Sequence, residues 1–172
     1  MSGEIMFQGN FVQLMAAYNQ WQNQAVYAAA TKLSDDVRKQ DRGGFFKSIH
    51  GTLNHIMWGD SLWFARFVNE PLHSNPIGEE MYADFAGMAQ ARVALDQRIL
   101  DWAQTVEPAW LQEPVTWSSK LYGFTQTIPR WVQVQHFFNH QTHHRGQVGT
   151  LLTQCGVDVG ITDIPMLPLL HA

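Results

Sequence analysis

A chain of 172 residues is long enough to bury one substantial core and short for two, so a single domain over residues 1–172 is expected. Hydrophobic residues make up 45% and charged residues 15%; that excludes disorder and leaves apolar surface for a subunit interface, with a homodimer as the expected assembly. The net charge of -4, with eleven Lys and Arg that form no stripe, lacks the electrostatic footprint of a nucleic-acid binder.

From about Asn10 to Lys32, apolar residues recur at helical spacing through Phe11, Leu14, Met15, Tyr18, Trp21, Ala25 and Ala28, without Gly or Pro. Asn10 is placed to cap this first helix. A turn through Ser34, Asp35 and Asp36 and the Gly43-Gly44 pair lead to a second helix, from about Phe45 to Asn69, which Pro71 ends. A connection with Pro71, Pro76 and Gly78 precedes a third helix, from about Asp84 to Val106, with apolar positions at Phe85, Met88, Val93, Leu95, Ile99 and Trp102. Between Pro108 and Pro129 the period changes to alternation, with Val115, Trp117, Phe124 and Ile128 and a turn near Gly123, which predicts a short β-hairpin. The fourth helix runs from about Pro129 to a stop at Gly156, and the tail with Pro165 and Pro168 is expected to be irregular. Both long inter-helix connections permit crossovers, so the expected fold is all-α, a four-helix bundle with at least one consecutive pair running parallel.

The single Cys155 can form no internal disulfide, which suits a reducing cytosol. The opening residues lack a secretory signal pattern, and no stretch reaches the roughly 20 apolar residues of a membrane helix, so a soluble cytoplasmic protein with no membrane partner is expected.

Chemistry concentrates in the histidines. Residues four apart on a helix lie about 40° apart around it and one turn along, which lets two imidazoles share an ion. His136/His140 and His140/His144 both qualify. On the helical wheel Val134, Phe137, Val148, Leu151 and Leu152 define the inward arc; His144 falls nearest to it and His140 next, while His136 and His143 lie further towards water. In the second helix His50 and His55 flank an apolar face made by Phe45, Ile49, Ile56, Trp63 and Phe67, and periodicity leaves the choice between them open. Asp60 falls inside that face, where a carboxylate needs a hydrogen-bond or ionic partner. Arg145 reads as a surface residue or a partner behind a ligand.

The segment NHQTHHRGQVGTLL, taken with YNQWQNQ in the first helix and SIHGTLNHIMWGDSLWFARF in the second, resembles the DinB family of the DinB/YfiT-like metalloenzyme superfamily. The resemblance implies an up-down-down-up four-helix bundle with a divalent metal ion between the second and fourth helices. Its ligand pattern falls on His55, which precedes Ile56, Asp60 and Trp63, and on His140 and His144 of the xHxxxHRGQ motif. Three neutral imidazoles leave a tetrahedral ion with one vacant position, the pattern of a reactive site; zinc is the expected metal and nickel the next. Relatives in the superfamily use low-molecular-weight thiols such as mycothiol or bacillithiol, so the resemblance implies activation of a thiol cofactor for transfer to a small electrophilic substrate in detoxification or stress response, with Asp60 as an assisting catalytic group. Two other readings stand beside it: a metal-dependent hydrolase with Asp60 or Glu79 as general base, and a non-catalytic protein whose metal stiffens the bundle.

Overall fold

Helix α1 (Phe11–Thr31) opens the computed structural model, which describes residues 11–119 and 123–171. Asn10, the expected cap, lies outside the described residues. The stripe that α1 buries differs from the one its apolar side chains suggest. It runs through Val12, Ala16, Asn19, Asn23, Val26, Tyr27 and Ala30, while Phe11 remains 45% exposed. The amides of Asn19 and Asn23 are drawn inside because they donate to the buried carboxylate of Asp96. A hydropathy wheel counts them as outward-facing.

Where a simple turn was expected, a short helix α2 (Asp35–Lys39) forms, capped by the Ser34 hydroxyl, which accepts from the Val37 amide. Helix α3 (Ile49–Phe67) begins at Ile49, not near Phe45. Ser48 caps it through the Gly51 amide, and Lys47, at φ 64°, turns the chain out of helical geometry. Phe45 is consequently 85% exposed, and Phe46 is folded back over the helix. Helix α4 (Phe85–Ala103) is capped by Asp84 and stops short of the expected Val106; Val93, counted with the apolar positions, faces solvent. A further short helix α5 (Pro108–Gln112) was not anticipated. The expected hairpin is present as β1 (Pro114–Ser119) and β2 (Phe124–Pro129), antiparallel with Val115 opposite Ile128. Trp117 packs its ring on Trp63 of α3. Helix α6 (Arg130–Gln154) follows Pro129 directly, and Gly156, at φ 75°, lets the chain leave it.

Side-chain contacts give the direction of each helix. Residues Phe11 and Asn19 of α1 meet Phe138 and Arg145 of α6, so those two helices are parallel. Asn23 and Tyr27 meet Asp96 and Phe85, which makes α4 antiparallel to α1. Asp60 and Phe67 of α3 meet Arg92 and Trp102 of α4 in parallel order, and His55 and Phe67 meet His144 and Phe137 of α6 in reverse order. This is the up-down-down-up arrangement. Because α3 and α4 point the same way, the connection between them has to return along a helix about 28 Å long, which explains its length. It is tied to α3 on the way: His50 donates to the Tyr82 carbonyl, Asn54 pairs with Tyr82 in both directions, and Trp58 donates to the Asn75 carbonyl. His50 thus anchors this loop.

The core holds charge as well as rings. Arg92 lies between Asp60 at 2.5 Å and Asp96 at 2.7 Å, all three buried, and Asn19 and Asn23 link Asp96 onward to Arg145. Arg145, read from the sequence as a surface group or a partner behind a ligand, is buried between α6 and α1. The segment after α6 contains two 3-10 turns, at Ile164–Met166 and Pro168–His171, and is strapped across α1 where Tyr18 and Gln22 donate to the carbonyls of Thr162 and Ile161. Among the described residues no helix is long and apolar enough to cross a membrane.

Candidate metal centre

Antiparallel packing of α3 on α6 brings His55 opposite the two histidines that stand one turn apart on α6. His55, His140 and His144 each offer a nitrogen within 4.8 Å of the others, and the Nε2 atoms of His55 and His140 are 3.1 Å apart. Two imidazole ligands at about 2.0–2.1 Å in a tetrahedron lie about 3.3 Å from one another, so the facing nitrogens stand at nearly the separation an ion would impose. His136 sits beside Trp63 with its ring 5.8 Å from that of His140, and His143 is exposed next to His144; neither joins the cluster.

Each ring is aimed by a different neighbour. His55 is held in an aromatic sandwich, with Phe46 stacked at 3.8 Å and Trp58 nearly parallel at 5.7 Å. His144 has its Nδ1 on the Gln147 side-chain oxygen at 2.8 Å. His140 occupies the space above Gly59, where a Cβ would come within 2.6 Å of its Cε1 and 3.2 Å of its Nδ1. Alanine at 59 would favour the helix by about 1 kcal/mol, yet its methyl would push His140 off the other two rings. Gly59→Ala should therefore lower the affinity of this cluster for a divalent ion, with zinc as the probe, about tenfold or more, as loss of ligand orientation does. The metal-free protein should melt no earlier than the wild type. Competition titration beside thermal unfolding checks both, and unchanged affinity would mean that the His140 ring is not confined there.

The electrostatics suit ligation. Burial, reinforced by the neighbouring His144, pushes His55 down to about 4. Burial and the ring of His144, with smaller effects from the other histidines, push His140 down to about 3. His144 is lowered by burial too, against the opposing bond from Gln147. The rings are accordingly neutral at physiological pH, the form that binds metal. Unfolded imidazoles take up protons near 6.5, ahead of the folded ones. The triad's contribution to the stability of the metal-free fold is therefore complete above about 6.5 and is lost as the pH falls towards 4. In an NMR titration of the metal-free protein the His55 and His140 ring protons should not move until well below 6; midpoints near 6.5 would show solvated rings.

Asp60 is sealed in the core, hydrogen-bonded to Arg92. Burial pushes its carboxyl up to about 6, against the lowering effect of the Arg92 guanidinium. Burial would lower Arg92 too, but Asp96 and Asp60 outweigh it and hold the guanidinium protonated. Glu79 is exposed at the rim of a cavity of about 430 Å³ that His55, Phe46, Lys47 and Asn54 also line. Sequence reasoning passed over Phe46, Trp58, Gly59 and Arg92, and gave Gln147, the last residue of the HRGQ motif, no role. Arg92 left a trace, being a lone cation on the stripe of Met88, Leu95 and Ile99, with Asp60 as its complement; nothing in the periodicity marks Gly59 or Phe46, whose roles depend on another helix.

Fold and site together define a helical bundle with a three-histidine cluster between two of its helices that can hold a metal ion. The DinB family model matches residues 6–170, and the chain belongs to the DinB family. It is 25% identical over 160 residues to Protein DinB of Bacillus subtilis (strain 168), covering 90% of this chain and 91% of that one. A crystal structure of a DinB-like protein from Bacillus cereus ATCC 10987 shares the fold, with a TM-score of 0.62 at 15% identity, over 82% of this chain and 90% of that one.

Proposed function

We propose that the protein is a metal-dependent enzyme that activates a low-molecular-weight thiol for attack on an electrophile, with His55, His140 and His144 as the metal ligands. The observation that carries this reading is the composition of the cluster: three imidazoles held neutral by burial, with a side-chain nitrogen of each converging. A divalent ion bound there would supply an uncompensated double charge and an open position that acidifies a thiol or a water. Nitrogen ligation suits zinc, nickel, iron and copper alike; zinc is taken as the first candidate and nickel as the second.

The surrounding residues fit a small substrate. The cavity beside His55 has the volume of a small-molecule site, with Phe45 and Phe46 as apolar wall and Lys47, Glu79 and Glu80 as polar rim. Asp60 enters this reading through Arg92, as a buried anchor that keeps α3 and α4 in register behind the ligands. Exposed Phe45, Val93, Trp131 and Ile161 support a homodimer, and the single cysteine suits the cytoplasm.

Metal analysis of the purified protein, then turnover of an electrophile such as a chloronitrobenzene with glutathione, bacillithiol or mycothiol, tests the proposal. Thiol-dependent turnover that disappears on chelation is the expected result. Ester or amide cleavage without thiol would transfer the site to hydrolysis. If neither occurs and chelation melts the fold, the metal is structural.

A further inference from the structure

On α6, Gln147 stands three residues after His144 and four after His143, the two spacings at which helical side chains meet. Its amide is engaged at both ends. The oxygen lies 2.8 Å from His144 Nδ1, and the nitrogen lies 3.2 Å from His143 Nε2. An amide oxygen can only accept, so the first bond puts the ring proton of neutral His144 on Nδ1 and leaves a lone pair on Nε2. We infer that Gln147 is the positioning residue of this site: it fixes the tautomer and rotation of His144 so that Nε2 is presented to His55 and His140, and His143 holds the amide the right way round.

The reverse amide orientation would place its NH2 against His144 Nδ1 and move the ring proton to Nε2, where a ligand needs its lone pair. His143 opposes that reversal by accepting from the amide nitrogen. It does so from an exposed position outside the triad, where water can replace it. Among the described residues the other two histidines of the cluster have no such bond. His55 is held by stacking, and its buried Nδ1 has no hydrogen-bond partner among the described residues; His140 is held by its fit over Gly59. Outer partners that orient a ligating histidine commonly contribute about 10–100-fold in metal affinity.

The consequence for affinity rests on the metal reading given above, but the tautomer can be read without metal. Long-range nitrogen-proton NMR of histidine-labelled, metal-free protein at neutral pH should show His144 as the Nδ1–H tautomer in the wild type and in Gln147→Glu, whose carboxylate still accepts. Gln147→Leu should shift it towards Nε2–H and lower zinc affinity about 10–100-fold. Circular dichroism establishes that the variants are folded; Gln147 is only half-buried, so leucine is tolerated there. His143→Ala should retain the wild-type tautomer and lose no more than a few-fold in affinity. A His144 tautomer that is unchanged in Gln147→Leu, or already Nε2–H in the wild type, would overturn the inference. Wild-type protein that takes up no zinc would sink the metal reading alone, since the spectra still decide what Gln147 does.

Discussion

On the proposed ligand set, replacing His140 by alanine is expected to abolish stoichiometric uptake of a divalent ion, with zinc as the probe, whereas His143→Ala should retain it. The two residues stand three apart in the histidine-rich stretch of α6, but their positions differ. His140 Nε2 faces His55 Nε2 at 3.1 Å, and its ring lies 4.4 Å from that of His144. His143 is exposed; its ring lies 4.8 Å from that of His144 and its Nε2 meets Gln147, but it offers no nitrogen to the cluster. Removing His140 leaves two imidazoles on different helices with no third donor in the cluster among the described residues, a loss that exceeds the 10–100-fold cost of an outer partner. Elemental analysis after dialysis, with isothermal titration of zinc, checks it. Equal zinc content in the two variants would refute the ligand assignment.

The largest loss of stability is expected from Arg92→Met. This change keeps much of the buried volume but leaves Asp60 and Asp96 facing one another across the core without their shared cation. Removing one partner of a buried pair typically destabilises by about 3–5 kcal/mol, which lowers the melting temperature by roughly 10 °C in a chain of this size. Orphaned charge is the cause, so adding Asp60→Asn and Asp96→Asn should recover part of the loss. Urea unfolding of the single and triple variants separates this from simple packing. An Arg92→Met protein within 1 kcal/mol of wild type would mean that the core tolerates both carboxylates, by protonating them or by admitting water.

The same residues define what a linear reading can reach. Helix-forming stretches were legible because breakers and caps are local: Pro71, Asp84, Pro129 and Gly156 mark boundaries that the structure reproduces within a residue or two. Start sites were misplaced where a side chain competes for the backbone. Phe45 and Phe46 are as apolar as helix residues, but the Ser48 cap and the turn at Lys47 exclude them, and that turn is what lays Phe46 on His55. The face of α1 was misread for the opposite reason. Asn19 and Asn23 look like surface residues until the carboxylate of Asp96, far along the chain, gives them a buried partner.

By itself the sequence determined a helical chain with a hairpin insertion, and on α6 a pair of histidines one turn apart near the apolar arc, since both follow from periodicity within one element. Only the tertiary structure decided which faces meet. It set His55 across from that pair, where the family resemblance had implied it, gave His50 to the loop and Asp60 to Arg92, and put a glycine under His140. Those outcomes depend on the register of helices distant in sequence, and register is set by side chains fitting and pairing across an interface that no single helix contains.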